Sequence, residues 1–225
     1  MKSFKVSNDP HFEQKLVDVV GLYFNPPVNA LVLSADEKSQ CQALDRSQPS
    51  LPLTKGRCGT MTHDYKRDGT TTLFAAIDMV KGKVIASRMK RHRHQEWIKF
   101  LAKIDAETPP ELDVHVIADN YAAHKHPKVK RWLTRHPRFH MHFTPTSSSR
   151  ANVIERFFRD LTDKRLRRGA FRSVPELEKA ILSYVAAHNA DPEPFRWTKT
   201  AAEIIEKVGR AKLALIKARQ AASDH

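Results

Sequence analysis

The sequence is short of acid, of cysteine and of long apolar runs, and each shortage removes a class of protein. Asp and Glu number 25 against 39 Lys and Arg, leaving a formal net charge of +14. A field of that sign attracts polyanions, of which nucleic acid is the usual one. Cys41 and Cys58 are the only cysteines and form no Cys-x-x-Cys pair, so reduced thiols in a cytoplasmic protein are expected rather than a disulfide scaffold. No apolar run approaches the length of a bilayer span, and Met1-Lys-Ser-Phe-Lys opens without a hydrophobic leader region, so no membrane partner is expected. Internal repeats and low-complexity segments are also missing.

What is present suits a mixed α/β core. In 225 residues, 40% of them hydrophobic, there is enough apolar side chain for one domain with appendages or two small ones. Phe12, Leu16, Val19, Val20 and Tyr23 stand at helical spacing between Asp9-Pro10 and Asn25-Pro-Pro, predicting a lead-in helix. Ala30–Ala35 reads as a compact strand that ends in Asp36, and Asp45–Gly59 as an irregular loop. Asp68-Gly69 and Lys81-Gly82 are turn pairs, and they divide residues 61–89 into three strands of an antiparallel meander.

Further along, Trp97, Ile98, Leu101 and Ile104 predict a helix over 94–104, and Val114–Ala118 predicts a buried strand that ends in Asp119. A helix over Pro127–Thr134 and a strand over Phe139–Phe143 follow. Ser147–Ser149 would cap a long helix running to about Arg167. Ser173-Val-Pro-Glu176 is a capping box opening a helix to about His188, and a last helix covers about 201–218. The expected division is a lead-in at 1–29, a core at 30–172 and a C-terminal helical extension at 173–225, the core being a mixed sheet flanked by helices.

Three acids carry the chemistry. Asp36 and Asp119 each follow an apolar strand, and if those strands are neighbours both acids share one crevice. Val153, Ile154, Phe157, Phe158 and Leu161 form the apolar stripe of the later helix, and Glu155 falls off it with Asn152, Arg159 and Thr162. Phosphodiester cleavage needs an activated water or hydroxyl and a stabilised leaving oxygen, which two hard cations in a carboxylate cluster supply. Singly, each acid has a plainer role, as a turn or cap residue or as a solvated partner for Arg159. Together they favour a site for two Mg²⁺ or Mn²⁺ ions.

These residues sit in motifs. They are Leu33-Ser-Ala-Asp36-Glu-Lys-Ser-Gln40, Thr62-His-Asp-Tyr-Lys-Arg-Asp-Gly69, Arg91-His-Arg-His-Gln95, Asp119-Asn-Tyr-Ala-Ala-His-Lys-His126 and Phe143-Thr-Pro-Thr146. Phe171-Arg-Ser-Val174, His188-Asn189 and Phe195-Arg-Trp-Thr198 follow downstream. With them the chain, from about Phe4 to about Val208, resembles the catalytic domain of bacterial insertion-sequence transposases related to the mariner group. The resemblance implies a ribonuclease H-like fold, with Asp36, Asp119 and Glu155 as the catalytic, metal-ligating triad. Asp119 and Glu155 lie 36 positions apart, close to that group's short spacing. Asn120, His124 and Asn152 join the site, His124 as a contact to DNA or to the scissile phosphate.

The same resemblance implies metal-dependent hydrolysis at element ends, then attack of the freed 3′ hydroxyl on target DNA without a covalent enzyme intermediate. Double-stranded DNA, as transposon ends and target, is the implied partner, and a homodimer the implied active form. Two departures stand out. Arg150-Ala151 replaces the Trp-Leu that precedes the Asn in such enzymes, and nothing before Ala30 fits a helix-turn-helix recognition domain. The expectation is therefore a catalytic fragment, an excised domain or one reading frame of a split element. A hydrolysis-only nuclease of the same fold and a non-catalytic DNA-binding remnant are the rival readings.

Basic residues crowd two stretches. Lys125, Lys128, Lys130, Arg131, Arg135 and Arg138 fill one that contains no acid, and Lys164, Arg165, Arg167, Arg168 and Arg172 crowd the other. Each follows a proposed catalytic acid, so with Arg159 they are expected to guide phosphates past the metal site without reading sequence. The basic residues of the last helix share it with Glu203 and Glu206, and a solvated face serves equally there. His92, His94, His124, His126, His140 and His142 repeat a His-x-His spacing, but no cysteine pair accompanies them and no zinc is expected. Trp97, Trp132 and Trp197 are expected to be packing anchors.

Overall fold

The computed structural model describes residues 7–46, 65–167 and 169–223. Cys58, residues 62–64 of the second motif, Arg168 and most of the expected 45–59 loop lie outside them. Among the described residues, five strands form one sheet: β1 (Ala30–Arg46), β2 (Tyr65–Asp78), β3 (Val84–Met89), β4 (Asp113–Ala118) and β5 (Phe139–Phe143). Their order is β3-β2-β1-β4-β5. β3, β2 and β1 are antiparallel, whereas β4 runs parallel to β1 and β5 parallel to β4. Parallel neighbours need crossovers, and α2 (His94–Glu107) and α3 (Pro127–Thr134) lie in those connections.

Helices cover both faces, so the central strands are apolar on both sides. On one face Leu33, Ala35, Phe74 and Val116 pack against Trp97, Phe100, Leu101 and Ile104 of α2, and Val129 of α3. On the other, Val32, Leu73, Ala75, Ile77 and Ile117 meet α4 (Ile154–Leu161) and α5 (Val174–Ala190). Each fully buried large side chain stabilises the fold by roughly 1.5–3 kcal/mol through area removed from water. A third cluster joins α1 (Phe12–Phe24) to α6 (Ala201–Ser223) through Phe12, Leu16 and Val20 against Ile204, Ile205 and Val208.

Three expectations need correction. β1 does not end before Asp36 but runs on to Arg46, with Asp36 opposite Ala75 of β2. The continuation is polar in sequence, and pairing with β2 rather than hydrophobicity keeps it extended. Asp68-Gly69 is not a hairpin turn, because β2 passes straight through it. Gln42 faces Thr70 and Leu44 faces Arg67, so Asp68 and Gly69 of β2 oppose Ala43 alone on β1, and Gly69 takes φ 116° at this bulge. Finally, the helix after β5 does not begin at the serine run. A single 3₁₀ turn, Ser149–Ala151, leads to Asn152 in extended backbone before α4 starts at Ile154.

Lys81-Gly82 is a turn as its residues predict. The Asp78 carboxylate accepts the amides of Val80 (2.8 Å) and Lys81 (3.0 Å), and Gly82 has φ 71°. A Cβ there would stand 2.3 Å from the carbonyl oxygen of Glu193, so only glycine fits.

Candidate active site

β1 and β4 run parallel with Leu33 opposite Val116 and Ser34 opposite Ile117. Two residues further on, at the same level of neighbouring strands, come Asp36 and Asp119. The register thus meets the condition for the two acids to lie side by side, although β4 stops at Ala118 while β1 continues.

Asp36 is 7% exposed, and both of its oxygens are engaged. Oδ1 accepts the Glu37 amide at 2.8 Å, and Oδ2 accepts Asn152 Nδ2 at 3.1 Å. Asn152 is itself buried; its Nδ2 also donates to the Ala35 carbonyl at 3.1 Å, and its Oδ1 accepts the Ser34 hydroxyl. Ser34 Oγ in turn accepts the Ile154 amide at 3.0 Å, at the start of α4. Asn152 therefore joins β1 to the helix that carries Glu155, and the demands of its side chain explain the extended residue ahead of α4. Arg150 consequently precedes that helix rather than interrupting its apolar stripe. Ala151 is buried under Phe12, Leu16 and Val20 of α1, which occupy the space above it.

His124 corrects a sequence expectation. It is 1% exposed and cannot touch DNA. Its ring lies 4.1 Å from Trp97, centroid to centroid, and bridges two acids, with Nδ1 3.0 Å from Asp119 Oδ1 and Nε2 3.0 Å from Glu37 Oε2. Burial alone would lower the imidazole pKa, but the hydrogen bonds and charges of Asp119 and Glu37 outweigh it and push the ring up to about 10. Glu37 is the residue that sequence reasoning missed. Its only signal was adjacency to Asp36, in a chain that also places a histidine five residues after Asp119.

The electrostatics separate the three acids. Burial pushes the Asp36 carboxyl up to about 8, helped by the negative charges of Asp119, Glu37 and Glu155. Burial also works to raise Asp119, but His124 and the Tyr121 amide (3.0 Å) prevail and hold it below its usual range. Glu155 is raised by burial and by Asp119, against the pull of Lys38. Glu155 is exposed, and its carboxylate makes no hydrogen bond or ion pair among the described residues, so the plain pairing with Arg159 does not occur.

The triad thus shares one electrostatic field. Among the described residues, no three His, Cys, Asp or Glu side chains are drawn close enough to hold an ion as they stand. The donor set nevertheless fits a hard divalent cation. It consists of carboxylate oxygens, and the Asp36 carboxyl, raised first by burial and then by the charges of Asp119, Glu37 and Glu155, carries a cost of ionisation that such an ion would offset.

Around the acids, Asn120 Nδ2 donates to Thr146 Oγ1 at 2.9 Å, and Asn120 Oδ1 accepts the Lys125 ammonium. Lys125, Lys128, Lys130, Arg131 and Arg159 are exposed. Arg138 is not available to DNA, because its guanidinium is spent on Asp105, Thr108 and the carbonyls of Pro109 and Leu112. Lys164 pairs with Asp160 (3.4 Å) and Arg167 with Asp163 (3.0 Å), while Arg165 lies over the Phe171 ring. The two ion pairs are exposed and worth a few tenths of a kcal/mol at most.

A five-stranded mixed sheet with acids at adjacent strand positions is the ribonuclease H-like architecture of transposase and integrase catalytic domains. The chain belongs to the DDE superfamily endonucleases, whose family pattern matches residues 32–178. The Mos1 transposase in its paired-end complex with the left transposon end is 16% identical, with a TM-score of 0.59 over 83% of this chain and 59% of that one. The catalytic domain of Mos1 mariner transposase is 13% identical, with a TM-score of 0.58 over 83% and 86%. A chain of the simian T-cell lymphotropic virus intasome in complex with PP2A regulatory subunit B56 gamma is 15% identical, with a TM-score of 0.51 over 78% and 53%. At these identities the likeness is one of fold. The chain spans 59% of the length of the first Mos1 chain. No curated protein sequence matches it. No helix among the described residues is long and apolar enough to cross a membrane.

Proposed function

We propose that this chain is the catalytic domain of a transposase, of the insertion-sequence kind related to mariner, that cleaves DNA at element ends and joins the freed 3′ hydroxyl to target DNA. The observation that carries the reading is that Asp36, Asp119 and Glu155 share one electrostatic field beside the central strand of a strongly basic protein. These three side chains would hold two Mg²⁺ or Mn²⁺ ions. Such ions, when bound, lower the pKa of an attacking water or hydroxyl and stabilise the leaving oxygen.

The chain's own groups hold the acids in place. Asn152 and the Glu37 amide fix the Asp36 carboxylate, and the Tyr121 amide and His124 fix that of Asp119. Lys125, Lys128, Lys130, Arg131 and Arg159, with Lys164, Arg165, Arg167 and Arg168 further along, would contact phosphates of the ends and the target. The structural likeness to a transposase held on its own transposon end supports double-stranded DNA as the partner. The active form is a homodimer, and catalysis is assigned to residues 30–172.

The test is a supercoiled plasmid carrying the element's inverted repeats, incubated with Mg²⁺ or Mn²⁺. Nicked and joined products are expected, and both should vanish with Asp119→Asn. Nicks without joined products would reduce the protein to a nuclease, and no products with either metal would remove the enzymatic reading.

A further inference from the structure

Residues 7–24 precede the segment that matches the family, yet they grip the loop between β5 and α4 at both of its ends. At one end stands Thr146. Its amide and its hydroxyl both donate to Asp9 Oδ2, at 3.0 and 3.2 Å, and its carbonyl accepts the Ser7 hydroxyl at 2.5 Å. Asp9 is held in turn by Lys15 Nζ at 2.7 Å and by the His11 amide at 3.0 Å, with its side chain only 3% exposed. At the other end, the Tyr23 hydroxyl donates to the Ala151 carbonyl at 2.8 Å, while Phe12, Leu16 and Val20 pack on the Ala151 side chain.

Both ends lead into the site. Thr146 Oγ1 accepts Asn120 Nδ2, and Asn120 accepts the Lys125 ammonium, so one polar chain runs Lys15–Asp9–Thr146–Asn120–Lys125 past the residue next to Asp119. Ala151 immediately precedes Asn152, the donor to Asp36 Oδ2. An aspartate is required at the head of this chain. Four donors converge on its two oxygens, and only an ionised, acceptor-only group takes all four. Burial opposes the charge, but Lys15 and the amides of Thr146 and His11 outweigh it and keep the carboxyl far below its usual range.

We propose that Asp9 is a positioning residue for the catalytic site, fixing Asn120 and Lys125 beside Asp119 through Thr146, so that the N-terminal segment forms part of the catalytic unit. Its consequence for metal rests on the function proposed above; the positioning itself does not. A purely structural brace for α1 is the competing role, and it makes a different forecast.

Amide hydrogen exchange on the full chain and Mn²⁺ affinity by electron paramagnetic resonance separate the two. Asp9→Asn should raise exchange in 119–126 and 144–152 while leaving the β2–β3 hairpin unchanged. It should also weaken Mn²⁺ binding about 10–100-fold, the usual effect of losing an outer partner of a metal site. Thr146→Val removes only the hydroxyl link and should give the same pattern in 119–126 to a smaller degree; it decides the matter if Asp9→Asn does not fold. Exchange that rises only within 7–24, with Mn²⁺ affinity unchanged, would overturn the proposal. If the unmodified protein bound no Mn²⁺, the function proposed above would fail while the exchange pattern still decided the positioning role.

Discussion

Asp36 and Glu155, both assigned to the proposed metal site, stand in opposite circumstances. Asp36 sits in the middle of a strand, buried, with both oxygens bound and its neighbours fixed by Ser34, Asn152 and the Glu37–His124 bridge. Glu155 stands in the first turn of a helix two turns long that passes into a π turn at Thr162–Leu166, and its carboxylate has no partner among the described residues. One wall of the site is set before any ligand arrives; the other has a side chain free to adjust. A two-sided metal site can use both, since rigid strands define position and a mobile carboxylate closes the coordination.

The largest effects should come from removing either strand acid. Asp36→Asn or Asp119→Asn should lower the metal-dependent cleavage rate by on the order of 10³-fold or more, the loss of several kcal/mol of transition-state stabilisation. The comparison sharpens with length changes. Asp36→Glu has no room to extend within the buried strand environment and should be as damaging as Asp36→Asn. Glu155→Asp shortens an unbound side chain on an adjustable helix and should retain activity reduced only about 10–100-fold. Single-turnover cleavage rates for the pair decide this; equal losses would erase the distinction between the two walls.

Next in size is the bridge beneath Asp119. His124→Ala leaves Glu37 and Asp119 without their shared donor; the loss on the buried Glu37 side costs about 3–5 kcal/mol, while the Asp119 side chain, 41% exposed, turns to water and adds little. Urea denaturation should show this, together with a loss of Mn²⁺ affinity. The bridge and Asp36 also set the pH response. His124 titrates at about 10 when folded, above its ordinary 6.5, so its stabilisation is complete below pH 6.5 and is lost as pH rises toward 10. Asp36 titrates at about 8 against an ordinary 3.8, so ionising it in the fold costs stability progressively between those values. Both signs agree: the metal-free protein should melt at falling temperature from pH 6 to pH 10, and Mg²⁺ should reverse much of the loss. Asp36→Asn should remove the lower part of that slope and the response to Mg²⁺, with the lost Asn152 hydrogen bond offsetting part of its gain. Glu155→Gln, on the open wall, should move stability by about 0.5 kcal/mol or less.

The same contrast explains what the sequence could reveal. Periodicity placed α3 and β5 to the residue, because their apolar spacing has one reading. It also put Asp36 and Asp119 after two apolar strands, but left the adjacency of those strands as a condition that only the sheet pairing supplies. It could not extend β1 past Asp36, where Glu37, Lys38, Ser39 and Gln40 look like a loop and only cross-strand pairing makes them a strand. It read Asp68-Gly69 as a turn, because a bulge and a hairpin share that dipeptide. The start of α4 was set by Asn152 reaching Asp36, 116 residues away in sequence, and no local signal carries that distance. The His124 bridge was hidden for the same reason, as was the diversion of Arg138 into a structural knot with Asp105 and Thr108.

The smallest effects concern the basic surface, and there the two stretches should part. Lys128, Lys130 and Arg131 stand exposed on α3, with no ion pair among the described residues. Lys164 and Arg167 already face Asp160 and Asp163, four residues away on their own turns. A cation that must leave an acid to meet a phosphate releases less net favourable charge on binding than one that stands alone. Replacing Lys128 or Arg131 by Ala should therefore lower the slope of log affinity against log salt by about 1 each on duplex DNA. Lys164→Ala should lower it by less, and Asp160→Ala should increase affinity by freeing Lys164. Filter binding across a salt series measures all four. If Lys164→Ala reduced the slope as much as Lys128→Ala, the local pairs would carry no weight and the basic surface would act as one undivided field.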